Sequence, residues 1–385
     1  MKLVEMELFQ VPPRWVLLKL TTEDGVVGWG EPVVEGNPEA SMAAVREFWP
    51  WVEGRDPRRI EDLFQTLHRG TFYRGGAVIS SAIAGIEQAC WDIAGRALGV
   101  PAYQLMGGAV RDRIDVYQWI GGDRPMSADD TSAQAEQLLK TGVRAFKMNV
   151  CGSMGYTATL AQVAAVVDRV AAVRERVGTE VDIALDFHGR VHRNVAKVLL
   201  QELEPFRPMF VEEAVLPEHG ELFADLAAST TIPLAAGERL FSRWQFKPVL
   251  EQRGLGVLQP DVSHCGGIWE ARKIAAMAEA YDVVLAPHCP LGPITLAASL
   301  QLDACTPNFL IQEQSMGIHY NSGGDVLDYV ANPEVFRIEN GSMAVPAGPG
   351  LGVEIDESAV RAATAKPHTF DKPVWRLPDG AIAEW

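Results

Sequence analysis

The chain has little cysteine. Its 385 residues contain five, Cys90, Cys151, Cys265, Cys289 and Cys305, an odd number with no Cys-x-x-Cys pair. This argues against a disulfide framework or a zinc knuckle and fits a reduced, cytoplasmic compartment. No apolar run approaches the ~18 residues of a membrane span. The N-terminus, MKLVEMELFQVPPRW, alternates like a strand and lacks a continuous apolar signal region. Positive charge is also scarce, with 34 Lys and Arg against 50 Asp and Glu, a net charge of -16. No basic run offsets it, so neither nucleic acid nor a membrane is expected as a partner. An anionic substrate would need local positive charge at its site.

The chain does contain two kinds of pattern. Residues 1–112 open with strand-like runs, KLVEMELFQV and RWVLLKLTT, then a hairpin signal at Glu23-Asp24-Gly25 and a third run, VVGWGE. Helical stretches follow, the last being ISSAIAGIEQACWDIAGRALG, which stops near Gly99-Val100-Pro101. This is an α+β domain. Over 113–340 the pattern alternates between strand and helix. Eight strand candidates, IDVYQWI, VRAFKMN, VDIALD, PMFVE, IPLAAGE, GVLQPD, VVLAPH and FLIQE, predict a parallel α/β barrel. Residues 341–385 are a Pro/Gly-rich tail with Trp375 and Trp385, expected to dock back on the first domain.

Asp186, Glu212, Glu238, Asp261, His288 and Glu313 each close one of these runs, 23 to 27 residues apart. A βαβ crossover needs roughly 30 residues, so this spacing sends all six side chains toward one barrel mouth. Asp186, Glu212 and Glu238 would repel each other unless a cation sat between them. All-oxygen ligands favour Mg2+ first and Mn2+ second. Asp261, one strand from His288, can fix the imidazole tautomer and leave the other nitrogen as a base. His188, two residues past Asp186, can leave the metal and reach the substrate. His192 lacks a third ligand pattern for zinc. Three carboxylates and one Mg2+ sum to about -1, so Lys147 is the candidate to meet a substrate carboxylate. Asn149, two residues on and on the same face, cannot act as a base. Glu313 either hydrogen-bonds the substrate carboxylate when protonated or partners Lys147. Arg14-Trp15 and Tyr73-Arg74 are polar-aromatic loop tips, with Arg14 and Tyr73 as candidate readers of distal hydroxyls.

These residues sit in motifs that resemble the enolase superfamily: WDIAGRALGVPAYQLMGG, VEEA and AGERL. LDFHGRV, AGERLFSR, QPDVSHCGG, APHCPLGPI and IQEQSMGIHYN resemble its D-galactonate dehydratase family in particular. One departure is Ala214, where that family usually carries Pro. It touches loop stiffness and not ligand chemistry. The resemblance implies a modified (β/α)7β barrel with an N-terminal α+β capping domain and a C-terminal return to the cap. It implies an acid-sugar substrate bound through its carboxylate to Mg2+ held by Asp186, Glu212 and Glu238. It also implies C2 proton removal by His288 paired with Asp261, and protonation of the departing 3-hydroxyl by His188. Related proteins are usually homo-oligomers. Galactonate is the favoured substrate, with gluconate, arabinonate or fuconate as alternatives. C2 racemisation needs a second base, and Asn149 stands where a second Lys would. A binding protein on an inactive barrel would have no chemical reason to keep this residue set.

Overall fold

The computed structural model describes residues 1–366, 368, 370, 372 and 374–384. Trp385, one of the two tail tryptophans, lies outside the described residues. The chain begins with β1 (Leu3–Val11), β2 (Trp15–Thr22) and β3 (Val27–Gly30), an antiparallel meander. Its second turn uses Gly25 at φ 78°, a conformation that favours glycine. Helices α1 (Pro38–Val52), α2 (Ile60–Arg69), α3 (Ala77–Leu98) and the short α4 (Ala102–Leu105) follow. Helix α3 is buried over most of its length, Glu87, Gln88 and Asp92 included. Gly30 and Gly85 allow β3 to lie against it: a Cβ on Gly30 would meet the Gly85 carbonyl at 1.8 Å.

The alternating part supplies β4 (Arg113–Asp115), β5 (Gln118–Ile120), α5 (Ala128–Leu139), β6 (Ala145–Asn149), α6 (Leu160–Val177), β7 (Asp182–Asp186), α7 (Arg193–Leu203) and β8 (Val211–Glu212). It continues with α8 (Phe223–Ala227), β9 (Leu234–Ala236), α9 (Arg243–Gln252), β10 (Val257–Leu258), α10 (Ile268–Ala280), β11 (Val284–Leu285) and α11 (Pro293–Ala304). Helix starts follow local chemistry: Thr159 and Gln162 form a reciprocal capping box at α6. Among the described residues, β5 to β11 form one parallel sheet in chain order. The eighth run, FLIQE, is not a ladder. Single parallel bridges, Leu285 to Phe309 and Val116 to Gln312, close the barrel there. The chain then returns through β12 (Ser342–Ala344), antiparallel to β4, and α12 (Glu357–Thr364). Helix α12 lies on the first meander, where Arg361 meets Glu7 at 2.7 Å and Lys19 meets Glu357 at 2.9 Å. Trp375, in contrast, is buried against the barrel loops, under Arg190 at 4.3 Å and Arg124 at 4.8 Å.

The barrel interior carries one apolar layer. Tyr117, Phe210 and Ile311 alternate in size with small residues such as Ala145, Ala184, Ala235 and Ala286. This plug is a packed floor, not a pore. Because side chains alternate along a strand, the next inward residue lies two positions on. Those positions are Trp119, Lys147, Asp186, Glu212, Gly237, Gln259, His288 and Glu313. The fold therefore sets a polar layer directly above an apolar one.

Candidate active site

That polar layer faces a cavity of about 560 Å³, with Lys147, Asn149, Asp186, His188, Glu238 and His288 in its wall and Arg14 at its rim. Glu212, Asp261 and Glu313 lie beneath, fully buried, and act on the wall from behind. Lys147 Nζ stands 2.6 Å from Glu212 Oε2, 3.1 Å from Glu313 Oε1 and 3.5 Å from Asp186 Oδ2. Burial opposes its charge, but Glu212 and Glu313 outweigh burial and push its pKa well up. Glu313 is a partner of Lys147 here. It also accepts from Trp119 Nε1 at 2.9 Å and from the Cys289 N–H at 2.7 Å.

His288 Nδ1 is 2.7 Å from Asp261 Oδ2, and its Nε2 is 3.3 Å from Glu238 Oε2. Burial disfavours the imidazolium, yet Glu238, Glu313 and Asp261 together raise the pKa. His188 sits at φ 53°, with its backbone N–H donating to Asp186 Oδ1 at 2.6 Å. Burial lowers its pKa, against the charges of Asp186 and Glu238. The histidines thus differ in environment: carboxylates dominate around His288 and desolvation around His188.

The carboxylates suit a hard cation. Burial and the Asp186 charge push the Glu212 pKa well above the usual carboxylate range, against Lys147. Its Oε1 is buried without a hydrogen-bond partner among the described residues. One ammonium does not neutralise this cluster, and an oxygen lone pair is left over for a ligand. A second grouping, His188, Glu213 and Glu238, also offers atoms within 4.8 Å of one another. Glu213, however, accepts a two-pronged contact from Arg239 through Nε and Nη2. A guanidinium on both oxygens disfavours a cation there. Asp186, Glu212 and Glu238 carry no such guanidinium on both oxygens among the described residues.

The loop tips behave differently from each other. Arg14 is buried, contacts Glu35 and the Pro290 carbonyl, donates to Asn321 Oδ1 at 3.0 Å and covers the Tyr320 ring at 4.2 Å. Trp15 is core. Tyr73 is 86% exposed beside Phe72, outside the cavity wall. Asn149 lines the cavity and donates from Nδ2 to the Gly122 carbonyl at 3.4 Å. His264, Arg239, Asp123 and Tyr320 also line it, and sequence reasoning did not single them out. Two of these had a signal: Arg239 directly follows Glu238, and His264 lies three residues past Asp261. All five cysteines are buried and free. Among the described residues, no helix is long and apolar enough to cross a membrane.

Residues 130–359 match the enolase C-terminal domain-like family, and residues 11–107 match the mandelate racemase/muconate lactonizing enzyme N-terminal domain. A D-galactonate dehydratase of Variovorax paradoxus is 55% identical over 385 residues, all of both chains. One of Ralstonia nicotianae is 54% identical over the same span. Among solved structures, an enolase of Agrobacterium radiobacter with bound Na and L-malate superposes with a TM-score of 0.92 at 32% identity, covering 100% of each chain. A mandelate racemase/muconate lactonizing enzyme from Sulfitobacter superposes with a TM-score of 0.88 at 30% identity, covering 97% of this chain and 99% of the other.

Proposed function

The chain belongs to the mandelate racemase/muconate lactonizing enzyme family of the enolase superfamily, and from its full-length likeness to sugar-acid dehydratases we propose that it is a hydro-lyase acting on a sugar acid. The substrate is D-galactonate and the product 2-dehydro-3-deoxy-D-galactonate, in keeping with dehydratase relatives that align over the full length. The observation that carries the mechanism is the pair of unlike histidines on one cavity wall. Asp261 holds His288 Nδ1, which leaves Nε2 to take the C2 proton. The Asp261 carboxylate on Nδ1 makes Nε2 a stronger base once the ring is neutral. His188, on β7's end, donates to the departing 3-hydroxyl, since hydroxide leaves poorly without a proton.

Asp186, Glu212 and Glu238 would hold Mg2+, with Mn2+ as substitute. Such an ion, when bound, polarises the substrate carboxylate as a Lewis acid where negative charge develops. Lys147 adds positive charge beneath the same carboxylate, Glu313 keeps Lys147 in place, and Arg14 and Asn149 face the sugar hydroxyls. Tyr73 stands exposed at its loop tip, away from the cavity wall. C2 racemisation is the weaker reading, because Asn149 is no base and Lys147 is held protonated by three carboxylates. We place the enzyme in the cytoplasm as a homo-oligomer. Free thiols fit the former, and light scattering tests the latter.

The test is a panel of acid sugars, gluconate, arabinonate and fuconate beside galactonate, assayed with Mg2+ for 2-keto-3-deoxy product. Galactonate should give the highest kcat/KM. Excess chelator should abolish turnover and added Mg2+ restore it. Full activity in chelator would remove the metal assignment, and product from none of the panel would remove the reaction.

A further inference from the structure

Asp261 and His288 sit on different loops, and both loops are gripped from outside the barrel. The Asp261 carboxylate has two oxygens. Oδ2 faces His288, while Oδ1 accepts from the backbone N–H of Ser263 at 2.6 Å. Ser263 Oγ in turn accepts from Gln88 Nε2 at 2.9 Å and pairs with Thr295 Oγ1 at 2.7 Å. Gln88 lies on α3, and its Oε1 accepts from the Glu31 N–H at 2.8 Å. The Glu31 carboxylate then reaches the start of α11, the helix that follows the His288 loop. There Oε1 accepts from the Gly292 N–H at 2.7 Å and Oε2 from the Thr295 N–H at 2.9 Å.

These contacts close a ring. Glu31 and Gln88 come from the first hundred residues, and between them they hold the Asp261 loop and the first turn after the His288 loop. Glu31, Gln88, Ser263 and Thr295 are all fully buried, and none lines the cavity. Substrate therefore does not touch them. An apolar face on α3 would pack against the barrel with less desolvation cost than a buried amide and carboxylate. A buried network whose members all find partners fixes orientation instead. The packing leaves little slack: a Cβ on Gly292 would stand 2.6 Å from Glu31 Oε1.

We propose that Gln88 and Glu31 are positioning residues that set the Asp261 carboxylate plane and the reach of His288, so that the N-terminal domain completes the base rather than only covering the mouth. This rests on the assignment of His288 as the C2 base. Gln88→Met keeps length and burial but removes the donor to Ser263 and the acceptor for Glu31. A misplaced base loses rate in the step that breaks the C2–H bond and leaves substrate binding alone.

The expected result for Gln88→Met on galactonate with Mg2+ is a kcat lower by about 10- to 100-fold at unchanged KM. The deuterium isotope effect on kcat, read with C2-deuterated substrate, should rise. Ser263→Ala and Gly292→Ala disturb the same ring from the barrel side and should behave alike, which covers the case in which Gln88→Met fails to fold. A readout free of turnover is the downfield proton resonance of the His288 Nδ1–H, identified by its loss in Asp261→Asn. It should shift or broaden in all three variants. If the wild type dehydrates no sugar acid, the reaction assignment fails, and this resonance alone decides the positioning. Well-folded variants with unchanged kcat, isotope effect and resonance would overturn the proposal. So would a defect confined to KM or explained by lower melting temperature.

Discussion

At the residue scale, the site is a problem of charge balance. Lys147 is buried among Asp186, Glu212 and Glu313, and removing one member of a buried ion cluster leaves the others uncompensated. Lys147→Met should destabilise the fold by about 3–5 kcal/mol in chelator. Mg2+ should return part of that loss, because a ligand bound only by the folded state stabilises it. Denaturant melts with and without Mg2+ measure this. No extra Mg2+ stabilisation in Lys147→Met would mean that the carboxylates are not the ion's ligands. A second prediction separates the histidines. In deuterated buffer, His288→Asn should show neither C2 exchange nor product, whereas His188→Asn should fail to dehydrate. A substrate with fluoride at C3 should partly rescue His188→Asn, since fluoride needs less help to leave, and should not rescue His288→Asn. Rescue of His288→Asn alone would reverse the acid and base assignments.

At the element scale, strand alternation makes most of the polar layer legible in the sequence itself. Lys147, Asp186, Glu212, His288 and Glu313 each stand two residues past an apolar floor residue, a periodicity that a sequence displays directly. Glu238 departs from it by one residue. Gly237 takes the inward position at φ 152°, where a Cβ would meet the Gln259 backbone at 2.8 Å. The FLIQE run reads as a strand because it is apolar and inward-facing, but among the described residues only single bridges pair it. What sequence could not show is contact across long separations. Gln88 and Ser263 are 175 residues apart, and no local pattern joins them. The exposure of Tyr73 is likewise invisible, since aromatic loop tips look the same whether they fold inward or outward. The close approach of β3 to α3 gives a further test. Gly30→Ala should force β3 off the helix and cost about 1–3 kcal/mol by urea unfolding. A cost near zero would mean that the two elements can part freely.

At the scale of the whole molecule, the joint between the two halves carries buried carboxylates at helix starts. Glu31 receives two N–H groups at the start of α11, and Glu87 receives those of Ile268 and Trp269 at α10 as well as Trp91 Nε1 at 2.6 Å. Burial is the larger effect and pushes each carboxyl up to about 7, against these donors. An unfolded Glu titrates at about 4.3, so the folded state binds more protons between that value and about 7. The contribution of both groups to stability is therefore complete below about 4.3 and is lost as pH rises toward about 7. Self-repulsion of a chain with net charge -16 acts in the same direction. Melting temperature should fall between pH 5 and 7.5 in calorimetry. Glu87→Gln should melt lower at every pH, because one acceptor becomes a donor, yet its slope against pH should flatten. A melting temperature that instead climbs over this range would mean that helix-start N–H groups outweigh burial and keep Glu31 and Glu87 ionised. In that case the joint would be held by charge, and raising the salt concentration would weaken it.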